Sequence, residues 1–277
     1  MSGPRIILIT GCSSGIGLDA ARTLSARGWR VFATCRRPAD CARLEAERLE
    51  SFPLDLASEA SIAQAVAEAL QRGGGRIDAL FNNGAFAIPG AVEDLPRAAL
   101  RAIFETNLFG QVDLTNRLLP AMRAQGRGRI VMNSSVLGFV AAPWRGAYVA
   151  TKFALEGLTD TLRLELAGSG IAVSLIEPGP IGTRFRANAV RQFETHIDWR
   201  ASPHVAAYER TLLKRLYGPA RRDRFELPPA SVTAALIRAL ESPRPAARYR
   251  VTTPSHAASV MRRLLPTRLL DQVLGQR

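Results

Sequence analysis

A tyrosine and a lysine at a spacing of four, Tyr148 and Lys152, are the side chains of this sequence best suited to moving a proton. They lie in a segment with helical periodicity, where that spacing places both on one face. A free tyrosine titrates at about pH 10, and an adjacent cation favours its phenolate. The pair therefore predicts a tyrosine that acts as an acid or base, with a pKa lowered by the lysine.

A hydroxyl stands upstream of this pair. Ser135 directly follows an apolar run that ends in Asn133 and Ser134. In open parallel sheets, ligands bind beyond the carboxyl ends of the strands. We therefore expect Ser135 to face the same crevice as Tyr148.

A glycine-rich segment connects the first apolar run to the first amphipathic stretch, and it reads Thr10-Gly11-Cys12-Ser13-Ser14-Gly15-Ile16-Gly17. Glycines permit a tight turn and a close approach of the backbone to a pyrophosphate. A helix that starts here offers free N–H groups and the positive end of its dipole. The segment predicts a site for the phosphates of a dinucleotide.

The next apolar run ends at Cys35, Arg36 and Arg37. At this position an acidic residue would bind the adenosine ribose hydroxyls, whereas an arginine accommodates a 2′-phosphate. Residues 30–39 contain no acid and two adjacent arginines. The sequence therefore favours NADP over NAD, with Arg36 as the phosphate ligand.

The elements that must position these residues alternate along the chain. Such alternation predicts an α/β fold, a Rossmann-type doubly wound parallel sheet of seven strands with helices on both faces. Predicted strands are residues 5–10, 30–35, 79–82, 129–133, 171–177 and 248–252. Predicted helices are residues 17–27, 58–72, 97–123, 147–166 and 229–241, with Ser58 and Pro96 at helix starts.

The regular alternation is lost after Pro178. Residues 183–226 combine six aromatic side chains with many charges and no clear strand, which predicts a long irregular lid insertion. We therefore expect one domain over residues 1–254. Residues 255–277 form a basic amphipathic tail, for which packing on the protein is favoured over docking on a membrane surface, because Pro266 interrupts the helix.

Composition narrows the classes of protein. The 277 residues are 47% hydrophobic, and the first residues lack the layout of a secretory signal. Cys12, Cys35 and Cys41 show no CxxC spacing, so we expect no metal site, no disulfide framework and a cytoplasmic location. The formal charge of +13 lies mostly in the last quarter of the chain and is nearly all arginine. This distribution favours solvated surfaces over nucleic-acid binding.

Together these motifs resemble the short-chain dehydrogenase/reductase family, in its main single-domain branch. The resemblance spans residues 5–183 and rests on TGCSSGIG, Asp55-Leu56, Asn82-Asn83-Gly84-Ala85, Asn107, Ser135, YVATK and Pro178-Gly179-Pro180-Ile181-Gly182-Thr183. Within the family, TGCSSGIGLD, VFATCR, YVATKFALEGL and PGPIGT look similar to 17β-hydroxysteroid dehydrogenase type 1 and to retinol-dehydrogenase-like members. The order Asn-Asn-Gly-Ala departs from the commoner Asn-Asn-Ala-Gly.

The resemblance implies a role for each catalytic residue. Tyr148 is the general acid in reduction and the general base in oxidation, and Lys152 holds the nicotinamide ribose. Ser135 hydrogen-bonds the substrate oxygen. Asn107 interrupts its helix and orders a water that links Lys152 to solvent.

The resemblance also implies the cofactor contacts. Asp55 meets the adenine, Asn82 holds the backbone near the cofactor, and Thr183 contacts the carboxamide or phosphates. The other implied cofactor-binding positions are Gly11, Ser13, Ser14, Gly15, Ile16, Gly17, Arg36, Leu56, Gly84, Tyr148, Lys152, Pro178, Gly179 and Ile181.

The expected activity is NADP(H)-dependent interconversion of a carbonyl and an alcohol. The aromatic lid, Trp144 and Phe139 suggest a lipophilic substrate, although the same aromatics could simply pack the lid onto the core. The alternatives are a 3-ketoacyl thioester reductase and a non-catalytic NADP-binding regulator. A homodimer or homotetramer is also implied, with Leu114, Leu118, Leu155, Leu158 and Leu162 as its apolar stripe.

Overall fold

The computed structural model describes residues 3–219 and 223–275. Residues 220–222 of the predicted lid, residues 276–277 of the tail and the first two residues of the predicted domain lie outside the described part. A seven-stranded sheet of parallel strands has the order β3-β2-β1-β4-β5-β6-β7. The strands are β1 Ile6–Ile9, β2 Arg30–Cys35, β3 Glu50–Pro53, β4 Ala79–Asn82, β5 Gly128–Asn133, β6 Ile171–Pro178 and β7 Arg248–Val251. The predicted fold class is confirmed.

Helices connect the strands and cover both faces of this sheet. They are α1 Gly15–Ala26, α2 Pro38–Ala46, α3 Glu59–Gly73, α4 Arg97–Phe104, α5 Gly110–Ala124, α6 Gly146–Glu165, α7 Phe185–His196, α8 Val205–Ala207, α9 Leu213–Tyr217, α10 Ala230–Glu241, α11 Thr253–Leu264 and α12 Thr267–Gly275. One buried cluster joins the sheet to α3, α5 and α6, and a second joins it to α1, α2 and α10. Apolar strands buried on both faces explain the continuous apolar runs of the sequence.

Local signals fix the predicted helix starts. Ser58 is the N-cap of α3, and its hydroxyl accepts a hydrogen bond from the Ser61 N–H. Pro96 precedes α4. The predicted helix over residues 97–123 is divided by one turn of π-helix, Glu105–Phe109, at whose centre Asn107 lies. The expected interruption at Asn107 is therefore present.

The region after Pro178 is more regular than expected. The irregular lid predicted over residues 183–226 contains α7, α8, a π turn at Tyr208–Leu212, and α9. Tyr208 and Phe193 are fully buried in a third apolar cluster. The ring of Tyr208 lies 4.7 Å from that of Trp144 and 6.3 Å from that of Trp199. These aromatics pack the helical lid onto the domain.

The tail forms two helices, α11 and α12, which end and begin on either side of Pro266 as the sequence predicts. Ala258 and Leu270 are buried, whereas Val260, Leu264 and Val273 are exposed. Within the described residues, no helix is both long enough and apolar enough to span a bilayer.

The leucines predicted to form an assembly stripe divide between two environments. Leu114, Leu118 and Leu155 are fully buried in the cluster between the sheet and its helices, so their assignment to a subunit interface is wrong. Leu162 packs against the same cluster. Leu158 remains exposed, on the outer face of α6.

Candidate active site

Helix α6 carries both Tyr148 and Lys152 into the domain, where both are buried. The ammonium of Lys152 lies 5.6 Å from the centre of the Tyr148 ring and donates a 2.7 Å hydrogen bond to the Asn133 carbonyl at the end of β5. The helix spacing therefore brings the two groups together as the sequence predicts. The end of the neighbouring strand fixes the lysine.

The pKa of Tyr148 differs from the sequence expectation. Burial raises the pKa of this phenol above its ordinary value, and a hydrogen bond with Ser135 acts in the opposite direction. The expected lowering by Lys152 is wrong for the protein alone, because the removal of the phenolate from water outweighs it. The phenol therefore holds its proton at neutral pH.

Lys152 responds to the same burial. Loss of hydration lowers the pKa of its ammonium to about 8, and the Glu156 carboxylate, one turn further along α6, opposes that change. The lysine thus titrates close to neutrality, within reach of modest changes in its surroundings.

Ser135 lies where β5 ends, at the N-cap of a short 3-10 turn, Val136–Gly138. Its hydroxyl accepts a 3.1 Å hydrogen bond from the Leu137 N–H and lies close enough to the Tyr148 hydroxyl to lower the pKa of that phenol. The two hydroxyls thus converge on one point, where the oxygen of a substrate can bind both.

Asn107 is fully buried in the π turn. Its amide accepts a hydrogen bond from the Phe86 N–H at 3.0 Å and donates to the Phe86 carbonyl at 2.8 Å and to the Thr151 hydroxyl at 3.2 Å. Because Thr151 precedes Lys152, the π turn connects the loop after β4 to the catalytic face of α6.

The glycine-rich segment forms the turn between β1 and α1. Gly11 and Gly15 adopt positive φ angles of 73° and 59°, and a Cβ on Gly17 would lie 2.4 Å from the Gly11 carbonyl oxygen. Ser14, at the N-cap of α1, makes no side-chain capping bond to the N–H groups of the first turn. The turn therefore presents a backbone cradle and free donors that fit a pyrophosphate.

Residues that the sequence reasoning passed over hold this cradle. The Thr10 hydroxyl accepts hydrogen bonds from the N–H groups of Asn83 and Gly84, both at 2.8 Å. The Asn83 side chain donates to the Thr10 carbonyl at 2.9 Å and accepts from Asn133 at 2.9 Å. Asn83 thus links the ends of β1, β4 and β5. In the sequence, its position next to the predicted Asn82 is the signal that points to it.

Asn82 itself is fully buried and points away from the turn. Its amide nitrogen lies 2.9 Å from the Thr115 hydroxyl and 3.1 Å from the Met132 sulfur. It therefore fixes the end of β4 against α5 and β5, and any effect on a cofactor passes through the backbone.

The residues predicted to bind the adenosine end of the cofactor differ in their surroundings. Arg36 is exposed directly after β2, and in the described residues it has no hydrogen bond or ion pair. The Asp55 carboxylate accepts a 3.0 Å hydrogen bond from the Ala57 N–H and thereby closes a turn before α3. The Leu56 backbone packs against Gly110, which leaves no room for a Cβ there.

The segment after β6 reaches the glycine-rich turn. A Cβ on Gly15 would lie 3.1 Å from a methyl carbon of Thr183. The Thr183 hydroxyl accepts a hydrogen bond from the Phe185 N–H at 3.2 Å, and Ile181 bridges to Leu227. Gly179, directly after Pro178 at the end of β6, donates from its N–H to the Val251 carbonyl at 3.0 Å. Thr183 therefore lies against the predicted phosphate site, whereas Gly179 and Ile181 contact β7 and Leu227.

Comparison with protein families identifies the pattern. A family model described as short chain dehydrogenase matches residues 5–194. The uncharacterized oxidoreductase YbbO of Escherichia coli is 42% identical over 97% of this chain and 93% of its own length. Retinol dehydrogenase 8 of Bos taurus is 35% identical over 90% and 82%, and human 17-beta-hydroxysteroid dehydrogenase type 1 is 33% identical over 89% and 77%.

Solved structures agree with these relatives. A short-chain dehydrogenase from Streptomyces avermitilis superposes with a TM-score of 0.79 at 31% identity and covers 99% of this chain and 94% of its own. The seven-stranded sheet and its helices are therefore shared with a known structure over the whole chain.

Proposed function

The chain belongs to the short-chain dehydrogenase family of oxidoreductases, and from this premise we propose that it uses NADP(H) to interconvert a ketone or aldehyde and an alcohol on a lipophilic substrate. The observation that carries the proposal is that Ser135 lies beside the Tyr148 hydroxyl and that the buried Lys152 ammonium lies 5.6 Å from the centre of the Tyr148 ring. A bound nicotinamide supplies or accepts the hydride.

The side chains account for the proton. In reduction, the Ser135 hydroxyl hydrogen-bonds the carbonyl oxygen, and Tyr148 gives its proton to that oxygen as negative charge develops. Burial, which raises the pKa of Tyr148, keeps the phenol protonated until then. The cationic Lys152 then stabilises the phenolate. The protonated phenol is the form that reduction requires, and the phenolate is the form that oxidation requires.

Cofactor choice depends on Arg36. Its exposed guanidinium follows β2, where the 2′-phosphate of NADP would lie, and no acid occupies residues 30–39. The nearby Arg43 is held by the Ser13 carbonyl at 2.7 Å and by ion pairs with Asp40 and Glu47. Within the described residues, Arg36 has no side-chain partner that would compete with the phosphate, and the adjacent Arg37 is equally exposed.

The preference for a lipophilic substrate draws on the lid. The ring of Phe185, at the start of α7, lies 5.4 Å from that of Tyr148 in an edge-to-face arrangement. Relatives named for retinol and 17-beta-hydroxysteroid substrates support the same class. An apolar wall beside the catalytic hydroxyl favours burial of an apolar substrate.

The proposal also concerns the assembly of subunits and the location of the protein in the cell. We propose a homodimer or homotetramer through the outer face of α5 and α6, where a groove includes Val112, Asn116, Leu158, Thr161 and Leu162. Light scattering at micromolar concentration tests this assembly. The free thiols of Cys12, Cys35 and Cys41 support a reducing, cytoplasmic location.

The test is NADPH and NADH oxidation with steroids, retinal, aliphatic aldehydes and a 3-ketoacyl thioester. Tyr148→Phe should lose at least about a hundredfold in turnover because it removes the transferable proton, and it should keep NADPH affinity. Arg36→Asp should weaken NADPH binding about ten- to hundredfold. Tyr217→Phe and Arg37→Asp are matched controls.

Four outcomes contradict the proposal. Equal affinity of the wild type for both cofactors would exclude the role of Arg36. Turnover by Tyr148→Phe at a tenth of the wild-type rate would place the acid elsewhere. NADPH binding without turnover of any carbonyl would favour the regulator, and turnover of the thioester alone would favour the 3-ketoacyl reductase.

A further inference from the structure

Arg145 lies immediately before α6, three residues from the catalytic Tyr148. The backbone at Arg145 is fixed, because it bridges to Gly90 and its carbonyl accepts a 2.8 Å hydrogen bond from the Val149 N–H. Its side chain therefore starts from a rigid point beside the reacting centre.

The side chain of Arg145 is half-buried and has no counter-ion in the part of the chain that the structure describes. Its Nη1 atom is inaccessible and has no hydrogen-bond partner, and no ion pair to Arg145 exists within residues 3–219 and 223–275. Burial, with a smaller contribution from Arg215 of α9, lowers the pKa of Arg145 to about 10. The group stays charged at neutral pH, and its charged neighbour is another cation.

Asp94 and Glu93, two acids that follow Gly90 in the chain, contact residues of the lid. Asp94, four residues after Gly90, accepts hydrogen bonds from Tyr208 and Ser202, both at 2.7 Å. Glu93 contacts His204. These two carboxylates thus bond to residues of the lid, and neither forms an ion pair with Arg145.

The buried carboxylate of Glu177, in contrast, is paired with cations. Glu177 on β6 is almost fully buried and meets Arg248 at 2.9 Å and Arg250 at 3.2 Å. Arg248 also contacts Asp160 at 2.6 Å. Arg145, an unpaired cation with an enclosed Nη1 atom three residues before the catalytic tyrosine, is therefore a site where an anion from outside the chain would be stabilised.

We propose that Arg145, with Arg215 of the lid as a second cation, binds an anionic group of the substrate, so that the substrate is an amphipathic oxo acid with an apolar chain and a carboxylate. This inference rests on the proposed carbonyl reduction and defines the polar end of its substrate. A planar guanidinium can bind a carboxylate through two parallel hydrogen bonds, which also orients the carbonyl toward Tyr148.

Binding of unreactive probes tests the site without turnover. Octanoate and octanamide are titrated calorimetrically into wild-type protein saturated with NADPH, which keeps the cofactor phosphates out of the comparison. Octanoate should bind about ten- to hundredfold more tightly than the uncharged amide. In Arg145→Met this ratio should fall to about one, and in Arg215→Gln it should fall less. Arg210→Gln, an exposed lid arginine, is the control for loss of charge.

Thermal unfolding shows whether a variant that no longer binds octanoate is still folded. Arg145→Met should melt at or above the wild-type temperature, because an apolar side chain replaces an unpaired, half-buried charge. Octanoate should raise the melting temperature of the wild type and leave that of Arg145→Met unchanged. Should Arg145→Met fail to fold, the exposed Arg215→Gln decides by its octanoate-to-octanamide ratio. Equal binding of the two probes to the wild type, or no octanoate binding at millimolar concentration, overturns the inference.

A turnover comparison separates this inference from the proposed function. A straight-chain aldehyde and the same chain with a terminal carboxylate are reduced by the wild type and by Arg210→Gln. A preference of about tenfold or more for the oxo acid supports the site. Reduction of both without preference overturns the inference and leaves the proposed function standing. Octanoate binding through Arg145 without reduction of any carbonyl overturns the proposed function alone.

Discussion

The glycine-rich turn and the lid hold their shapes by opposite means. In the turn, backbone atoms lie against each other and against short polar side chains such as Thr10 and Asn83. The lid is held by large side chains, with Tyr208 packed among aromatics and bonded to Asp94. Backbone contacts admit almost no substitution, whereas packed side chains can be exchanged. The cofactor side of the site is therefore rigidly specified, and the substrate side is where specificity can change.

The strongest test of this difference between the turn and the lid is the addition of a single methyl group to the turn. In Gly17→Ala the new Cβ would lie 2.4 Å from the Gly11 carbonyl oxygen and 2.8 Å from the Asn83 amide nitrogen. We expect a loss of about 3 kcal/mol in the free energy of unfolding, and more than about a hundredfold in NADPH affinity, since the cradle must move.

Gly157→Ala is the matched control for that change, because a Cβ there meets nothing within 4 Å on the exposed side of α6. It should stabilise the protein by about 0.5–1 kcal/mol. Denaturant unfolding and cofactor titration measure both variants. Wild-type NADPH affinity in Gly17→Ala would refute the claim that the turn is fixed by backbone contacts.

The next prediction concerns Lys152, which lies between the two regions. Its pKa of about 8 in the folded protein is below the unfolded value of about 10.4. Between these values the unfolded chain binds more protons, so the free energy of unfolding rises with pH. Relative to Lys152→Met, the wild type should gain about 2–3 kcal/mol from pH 8 to about pH 10.4. If the free energies of unfolding of the two proteins change equally across this pH range, burial does not lower the pKa of Lys152.

The smallest effect is expected in the lid. The Tyr208 hydroxyl donates to Asp94 at 2.7 Å and accepts from the Ala91 N–H at 2.8 Å. Tyr208→Phe should cost about 1–2 kcal/mol, speed hydrogen exchange in α7 to α9 and raise KM, while the Kd of NADPH stays unchanged. Tyr217→Phe, whose hydroxyl bonds Glu194 at an exposed position, should change none of these. A weaker NADPH affinity in Tyr208→Phe would mean that the two regions are coupled.

The sequence was informative where one residue type is physically required. The glycines at positions 11, 15 and 17 predicted the turn, because a side chain at these positions would clash or strain the backbone. The spacing of Tyr148 and Lys152 predicted the catalytic face, because it places both side chains on one face of a helix. Strand β3 was not predicted, since Glu50–Pro53 is a short edge strand that ends in proline. The helices of the lid were missed because their buried aromatics obscure a helical period.

Long-range contacts explain the remaining differences. Burial of Leu114 and Leu118 depends on the sheet beneath α5, and the raised pKa of Tyr148 depends on its enclosure by the lid and the core. Arg145 is left without an ion pair, whereas Asp94 and Glu93 bond to residues of the lid. Such effects are set by which groups meet in space, and local spacing does not contain that information.

The position of β1 in the middle of the sheet also sets an order of events during synthesis. β1 is made early, yet it pairs with both β2 and β4, and the Thr10 hydroxyl finds its partner Gly84 only 74 residues later. A nascent chain that has not yet released β4 from the ribosome carries the glycine-rich segment without its support. Until then one edge of an entirely apolar strand is open to other chains. Arrest at this stage should therefore favour aggregation, and NADPH can protect the chain only after β4 has emerged.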